Sequence, residues 1–246
     1  MTDDRGLRIN KFFTEHGFAS RREADRWVAE GRVTINGRKA VPGDRVQPED
    51  KIAVDGKIAR PPQKKIPVIL AYHKPPGVVC TLDRDTENNL ADAIDYPERV
   101  FNIGRLDQFS EGLLLLTNLG EIVNKILRSK YGHEKEYIVD TNEPITDRDI
   151  EFLSKGVMIL DRETLPCRIE RLTQKRIRMV LTEGRNRQIR RMLEMVGLRA
   201  SRLKRIRVMD VALGDIPRGE YRELSKSEVA RFLKFLENSE SSVAKK

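Results

Sequence analysis

The chain has 246 residues, enough for a substantial core in one large domain or two unequal ones. Hydrophobic residues make up 39% and charged residues 35%, and no apolar run approaches the roughly 20 residues a bilayer span needs, so a water-soluble protein is expected and a membrane protein is excluded. A net charge of +9, two distant cysteines and an acidic start, MTDDRGLRIN, argue against a disulfide framework and a signal peptide and favour a cytoplasmic protein with a polyanionic partner.

The first sixty residues read as a separate small domain. LRINKFFTEHG carries Leu7, Ile9, Phe12 and Phe13 and stops at Gly17, a good helix end. SRREADRWVAEGR opens on a capping box, Ser20 with Glu23 three residues on. Ala24, Trp27 and Val28 form its inner face, Gly31 ends it, and Arg21, Arg22 and Arg26 fall outside. In RVTINGRKA the Asn36-Gly37 pair is a strong hairpin signal, and VPGDRVQPEDKIAVDGK continues as turns and a short strand. RPPQKKIP, Arg60 to Pro67, is stiff and polar and reads as a linker.

Strand-like VILAY follows, then a HKPPG turn and a strand VVCT. Leu113 to Leu116, bounded by Gly112 and by Thr117-Asn118, fit a strand buried on both faces. The preceding QFSEG is too polar for a central strand, so Asp107 is expected on a turn feeding a rigid core strand. Asn118 can cap a helix with Leu119, Ile122, Val123, Ile126 and Leu127 at helical spacing. YIVDT, CRIERL and RIRMVLT read as strands, while ITDRDIEFLSKG, RNRQIRRMLEMVG and KSEVARFLKFLEN read as helices, before a polar tail. The irregular alternation, with several close strand pairs, predicts an α+β fold with a mixed, largely antiparallel sheet flanked by helices. Domains are expected at 1–60 and 68–237, with a linker at 61–67 and the tail at 238–246.

The excess charge is concentrated. From Lys175 to Arg207 twelve Lys and Arg stand against two acids, Glu183 and Glu194. Ile177, Met179, Val180, Leu181, Ile189 and Met192 interleave with them, so the block is folded and is expected to meet phosphates. The three histidines (His16, His73, His133) show no paired spacing, and Cys80 and Cys167 form no CxxC. With no GxGxxG or GxxxxGK[ST] either, neither a metal nor a nucleotide cofactor is expected.

What remains is one carboxylate near arginines, a possible stacking aromatic and a phosphate-binding surface. A glycosidase would want a second carboxylate, and Glu111 is the candidate. A lone carboxylate can instead be a covalent nucleophile if the leaving fragment stays bound and is used again. Isomerising a uridine fits: the base detaches, turns and reattaches through carbon. A non-catalytic RNA-binding ribosome-assembly factor is the alternative.

ASRREADRWVAEGRVTINGRKA with GDRV and KIAVDGK resembles the S-four-type (alpha-L) RNA-binding module, over nearly all of residues 7–56. IGRLDQFSEGLLLLTNLGE, in order with HKPPGVVCT, HEKEYIV and EGRNRQIRRM, resembles RNA pseudouridine synthases. The match is to the bacterial ribosomal RNA branch that carries such a module, the RsuA/RluB/RluE/RluF group, and within it to F-type enzymes acting on large-subunit RNA. The resemblance implies Asp107 as nucleophile, Arg190 as the cation paired with it, and Tyr137 stacking on the target base and helping remove its carbon-bound proton. It implies a flipped-out target base, Arg105 filling or steadying the vacated place, and Leu106, Gln108, Arg187, Gln188 and Ile189 lining the RNA surface. It also implies Arg21 and Arg22 on the RNA backbone, no cofactor and no metal. The partner would be ribosomal RNA, large subunit favoured, with transfer RNA a second candidate, and a monomer is the default. His73 stands where related enzymes commonly have Asn before Lys-Pro, and the tail is shorter than the F-type's basic extension.

Overall fold

The computed structural model describes residues 6–59, 66–127 and 132–244, so most of the expected linker lies outside the described residues. The chain divides into two compact units at Ile66–Pro67. In the N-terminal unit a short strand β1 (Leu7–Arg8) leads into helices α1 (Ile9–Glu15) and α2 (Arg21–Ala29). The capping box at Ser20 is formed in both directions: Glu23 N–H donates to Ser20 Oγ at 3.1 Å and Ser20 N–H to Glu23 Oε2 at 3.3 Å. Strands β2 (Val33–Ile35), β3 (Arg38–Lys39), β4 (Arg45–Val46), β5 (Ile52–Val54) and β6 (Lys57–Ile58) follow. β2 and β3 form the hairpin, with Asn36 and Gly37 both at positive φ (51° and 85°), as a type I′ turn requires. Phe12, Phe13, Ala24, Val28, Val33, Val46 and Ile52 make the core, with Trp27 edge-on to Phe13 at 5.6 Å.

The larger unit is organised by one sheet, of nine strands among the described residues. Its members, with the intervening helices, are β7 (Ile69–Lys74), α3 (Leu90–Ala93), β8 (Phe101–Ile103), β9 (Glu111–Thr117), α4 (Gly120–Leu127) and β10 (Lys135–Thr141). After α5 (Asp147–Ser154) and the small pair β11 (Met158–Ile159) and β12 (Arg162–Glu163) come β13 (Arg168–Thr173), β14 (Arg176–Leu181) and α6 (Gln188–Glu194). Then come β15 (Ala200–Val208), β16 (Val211–Ala212), β17 (Tyr221–Glu223) and α7 (Lys226–Ala244). The strand order is β13–β14–β10–β15–β9–β7–β17, with β8 on β9 and β16 on β15. Every pairing is antiparallel except β15 with β9, where Lys204 and Arg205 register with Glu111 and Gly112. The fold is α+β with a mixed, largely antiparallel sheet.

All seven residues of β9 are buried, because the sheet covers it on both edges and apolar side chains cover both faces. Three expectations need correction. VVCT is not a sheet strand: Val79 makes one isolated bridge with Asn89, and its neighbours bond the 88–90 loop. β15, the longest strand, was not foreseen. α7 runs to Ala244, past the helix end expected at Asn238, so the polar tail is helical as far as 244.

Gly112 is where the parallel pair forms. Its φ is +108°, and a Cβ there would lie 2.2 Å from Arg205 O and 2.6 Å from Arg205 N. Both are backbone atoms, so nothing can swing aside. Gly112→Ala is expected to cost about 2–6 kcal/mol, summing left-handed strain and overpacking, read as a drop in urea midpoint. An unchanged midpoint would mean that β9 and β15 do not approach this closely.

Candidate active site

β8 ends at Ile103, the chain turns through Gly104 (φ +79°), and residues 105–110 form the polar bend before β9. Asp107 sits in that bend with 28% of its side chain exposed. Ser110 N–H donates to Asp107 O at 3.0 Å, and Gly77 N–H to Gln108 O at 2.8 Å. Beneath the bend lies Lys74, the last residue of β7 and fully buried. Its ammonium donates to Pro75 O (2.8 Å), Gln108 O (3.0 Å) and Ser110 O (2.9 Å). Three donors meet three carbonyls, so the buried cation is satisfied without a carboxylate touching it. Burial pushes its pKa down to about 8, which leaves it mostly charged at neutral pH. The bend that presents Asp107 is therefore pinned to the sheet from below.

Arg190 comes from α6, whose N-cap residue Arg187 is left-handed (φ 51°, ψ 34°). Arg190 Nε lies 3.9 Å from Asp107 Oδ2, an ion pair without a hydrogen bond. Its other nitrogens hold it in place: Nη1 donates to Ala200 O at 3.1 Å, and Nη2 to Ser110 Oγ at 3.4 Å and Phe109 O at 3.5 Å. Burial, then neighbouring Arg187, lowers the Arg190 pKa, and Asp107 opposes that shift. Arg191 turns away, to Asn186 O and Oδ1. Of the adjacent arginines, only Arg190 faces the carboxylate.

Tyr137 is half-buried on β10, in register with Met179 on β14 and with Arg205 on β15. Its ring packs against the apolar cluster that contains Leu106, beside Asp107 in the chain. Its hydroxyl has no hydrogen-bond partner among the described residues. Arg205, opposite it, is buried; Nε donates to Leu113 O at 2.7 Å and Nη1 to Arg105 O at 3.4 Å, while Nη2 has no partner. Arg205 thus ties the start of the Asp107 bend to β9. Sequence reading missed both Lys74 and Arg205. A lysine ending a strand and an arginine among arginines give no signal of burial; only the Lys-Pro turn beside VILAY hinted at the first.

The expected RNA-facing residues divide. Arg105, Gln108 and Arg187 are exposed, as are Arg21 and Arg22 on α2. Leu106, Gln188 and Ile189 do not line a surface and are corrected here. Leu106 and Ile189 are buried in apolar clusters. Gln188 is buried with Nε2 donating to Glu183 Oε1 at 2.9 Å and Oε1 accepting from Arg185 N–H at 3.0 Å. The basic block is also less free than its count suggests. Lys175, Arg176, Arg178, Arg185, Arg190, Arg202 and Arg207 pair with carboxylates of the same unit and Arg205 is buried against carbonyls, leaving Arg187, Arg191, Arg199 and Lys204 without an ion pair among the described residues. Glu111, the possible second carboxylate, is 2% exposed and gripped by Arg202 at 2.6 Å and Arg218 at 2.7 Å. It cannot serve as a partner acid facing Asp107. The site can offer one carboxylate on a fixed turn, a cation beside it and a phenol without a hydrogen-bond partner among the described residues.

The RNA pseudouridylate synthase family model matches residues 68–195, and over its full length the chain is 43% identical to the Escherichia coli protein named "Dual-specificity RNA pseudouridine synthase RluF", spanning 85% of it. The chain belongs to the RNA pseudouridine synthases. This pseudouridine synthase carries an S4 domain at residues 7–52, matching its N-terminal unit. It is 32% identical to the Bacillus subtilis protein named "Ribosomal large subunit pseudouridine synthase B", over 91% of this chain and 94% of that one. A crystal structure titled as a pseudouridylate synthase superposes with a TM-score of 0.66 at 27% identity, covering 92% of this chain and 99% of the other. As a pseudouridine synthase the protein is an isomerase acting on RNA, not a binder alone. No helix of the described residues is long and apolar enough to cross a membrane.

Proposed function

We propose that this enzyme converts a uridine of ribosomal RNA, in the large subunit, to pseudouridine, with Asp107 as the nucleophile. The observation that carries the reading is the bend holding Asp107, pinned by Lys74 and flanked by Arg190 at 3.9 Å. The large-subunit target is supported by the name of the B. subtilis relative. The "dual-specificity" name of the E. coli relative supports a second RNA, for which transfer RNA is the candidate. The enzyme works in the cytoplasm as a monomer in this reading.

The steps balance without a cofactor. A base within paired RNA is out of reach, so the uridine leaves the stack, with Arg105 entering the vacated place. An Asp107 oxygen bonds to the nucleotide, the bond between N1 and the sugar breaks, and uracil departs as an anion that stays in the closed site. The base turns, C5 bonds to the sugar carbon, and the carboxylate is released. The C5 proton passes to solvent with Tyr137 as the acceptor or relay, and N1 gains a proton. Arg190 places its positive charge beside the Asp107 carboxylate. Arg21 and Arg22 hold RNA phosphates on the N-terminal module, and Gln108 and Arg187 hold them beside the bend.

The test is tritium release from large-subunit ribosomal RNA transcripts labelled at uridine C5, without metal or methyl donor. Release with no free uracil is expected. Free uracil would mean hydrolysis instead, and no release despite tight binding to every transcript would remove the large-subunit assignment.

A further inference from the structure

Phe109 lies two residues beyond Asp107, with 68% of its surface exposed. By contrast Phe13 and Phe232 are fully buried. The exposure is not that of a slack loop. Both sides of Phe109 are pinned, Gln108 O and Ser110 O by the Lys74 ammonium, while Arg190 Nη2 reaches Phe109 O. The backbone therefore holds the ring out in water. Gln108 beside Phe109 and Arg105 in the same bend are exposed, and the Arg190 guanidinium reaches the Phe109 carbonyl, so its flank is polar and cationic. A patch that docks another protein would carry contiguous apolar surface, whereas the chain neighbours of Phe109, Gln108 and Ser110, are polar. A single rigid ring among cations suits an unpaired base on a polyanionic strand.

We propose that Phe109 stacks on a nucleobase of the substrate RNA lying within two positions of the uridine that meets Asp107. This rests on the uridine reading above. Two residues of chain span at most about 7 Å, and stacked nucleotides on one strand rise about 3.4 Å. The ring therefore reaches one or two bases from the target. Arg105 and Phe109 then bracket the carboxylate at positions −2 and +2 of the chain, the cation serving the emptied place and the ring serving a base left beside it. Stacking is sequence-tolerant but stronger for larger rings, so Phe109 favours a purine as that neighbour.

The experiment takes a ribosomal RNA transcript that the wild type isomerises and places 2-aminopurine at each of the two positions on either side of the target. Phe109→Ala and Phe109→Leu are compared with Phe109→Trp, using binding and KM. Alanine and leucine are expected to weaken binding about 5- to 150-fold, the equivalent of ~1–3 kcal/mol, with the 2-aminopurine quenching at one position lost. Tryptophan is expected to restore both, and the melting temperature is expected not to fall, since the ring is exposed. Alanine and leucine variants that bind, quench and turn over like the wild type would overturn the proposal. So would a loss seen only on ribosomal particles and not on the bare transcript, which would make Phe109 a protein contact. If the wild type isomerises no transcript, the uridine reading fails by itself, while 2-aminopurine quenching on a transcript it binds still decides the stacking.

Discussion

Asp107→Asn is expected to bind the transcript with wild-type affinity and to release no tritium above background. The amide keeps the size and the hydrogen-bonding shape of the carboxylate but lacks the lone-pair basicity to form an ester-like bond with a sugar or base carbon. Losing a covalent nucleophile costs about 10⁴-fold or more where it has been measured on other enzymes. The fold should not notice. Asp107 meets Arg190 at 3.9 Å without a hydrogen bond, and Arg190 keeps Ala200 O, Phe109 O and Ser110 Oγ. A partly exposed pair of that length is worth under about 1 kcal/mol. Binding, circular dichroism and single-turnover tritium release on the same preparation separate the cases. Turnover within tenfold of wild type would remove Asp107 from the chemistry. Loss of binding together with turnover would make it a ligand-positioning group instead.

The site was legible in the sequence where composition changed sharply, and illegible where it did not. A carboxylate in a polar bend before four leucines announces a presented side chain on a buried strand, and β9 is buried throughout. Asn36-Gly37 and Ser20 with Glu23 carry their own local geometry, so both were readable without tertiary context. β15 was not, because its pattern is written in charged residues. Leu203 and Arg205 point inward from a run whose other members, Arg202, Lys204 and Arg207, look like solvated basic surface. An arginine whose donors are absorbed by buried carbonyls is indistinguishable in sequence from one that meets RNA. The resemblance implied Leu106, Gln188 and Ile189 on the RNA surface, but a motif marks a stretch of chain and not which of its side chains face outward, and all three are buried. Lys74 belongs to the same class, a charge that structure spends on a turn instead of a ligand.

Tyr137→Phe tests the other half of the chemistry. The ring packs against the cluster holding Leu106 and stands in register with Met179 and Arg205, so phenylalanine preserves every apolar contact. The hydroxyl has no partner among the described residues, so its removal strands no donor or acceptor and changes stability by under about 1 kcal/mol. Stacking on the target base, worth roughly 1–3 kcal/mol, also survives, and binding should be unchanged. If the hydroxyl takes or relays the C5 proton, turnover falls by about 10²–10⁴-fold, the usual worth of a positioned acid or base. The falling rate should carry a signature that a packing defect would not. Proton loss becomes the slow step, so deuterium at C5 slows the variant more than it slows the wild type. The base has by then left the sugar at N1 and rejoined it through C5 with Asp107 released, so no covalent enzyme–RNA species should accumulate. Tyr137→Leu, which removes the ring, should instead lose affinity as well as rate. A Tyr137→Phe enzyme with wild-type turnover and no added isotope effect would leave Tyr137 a stacking residue, and the proton would then need another acceptor near the Asp107 bend.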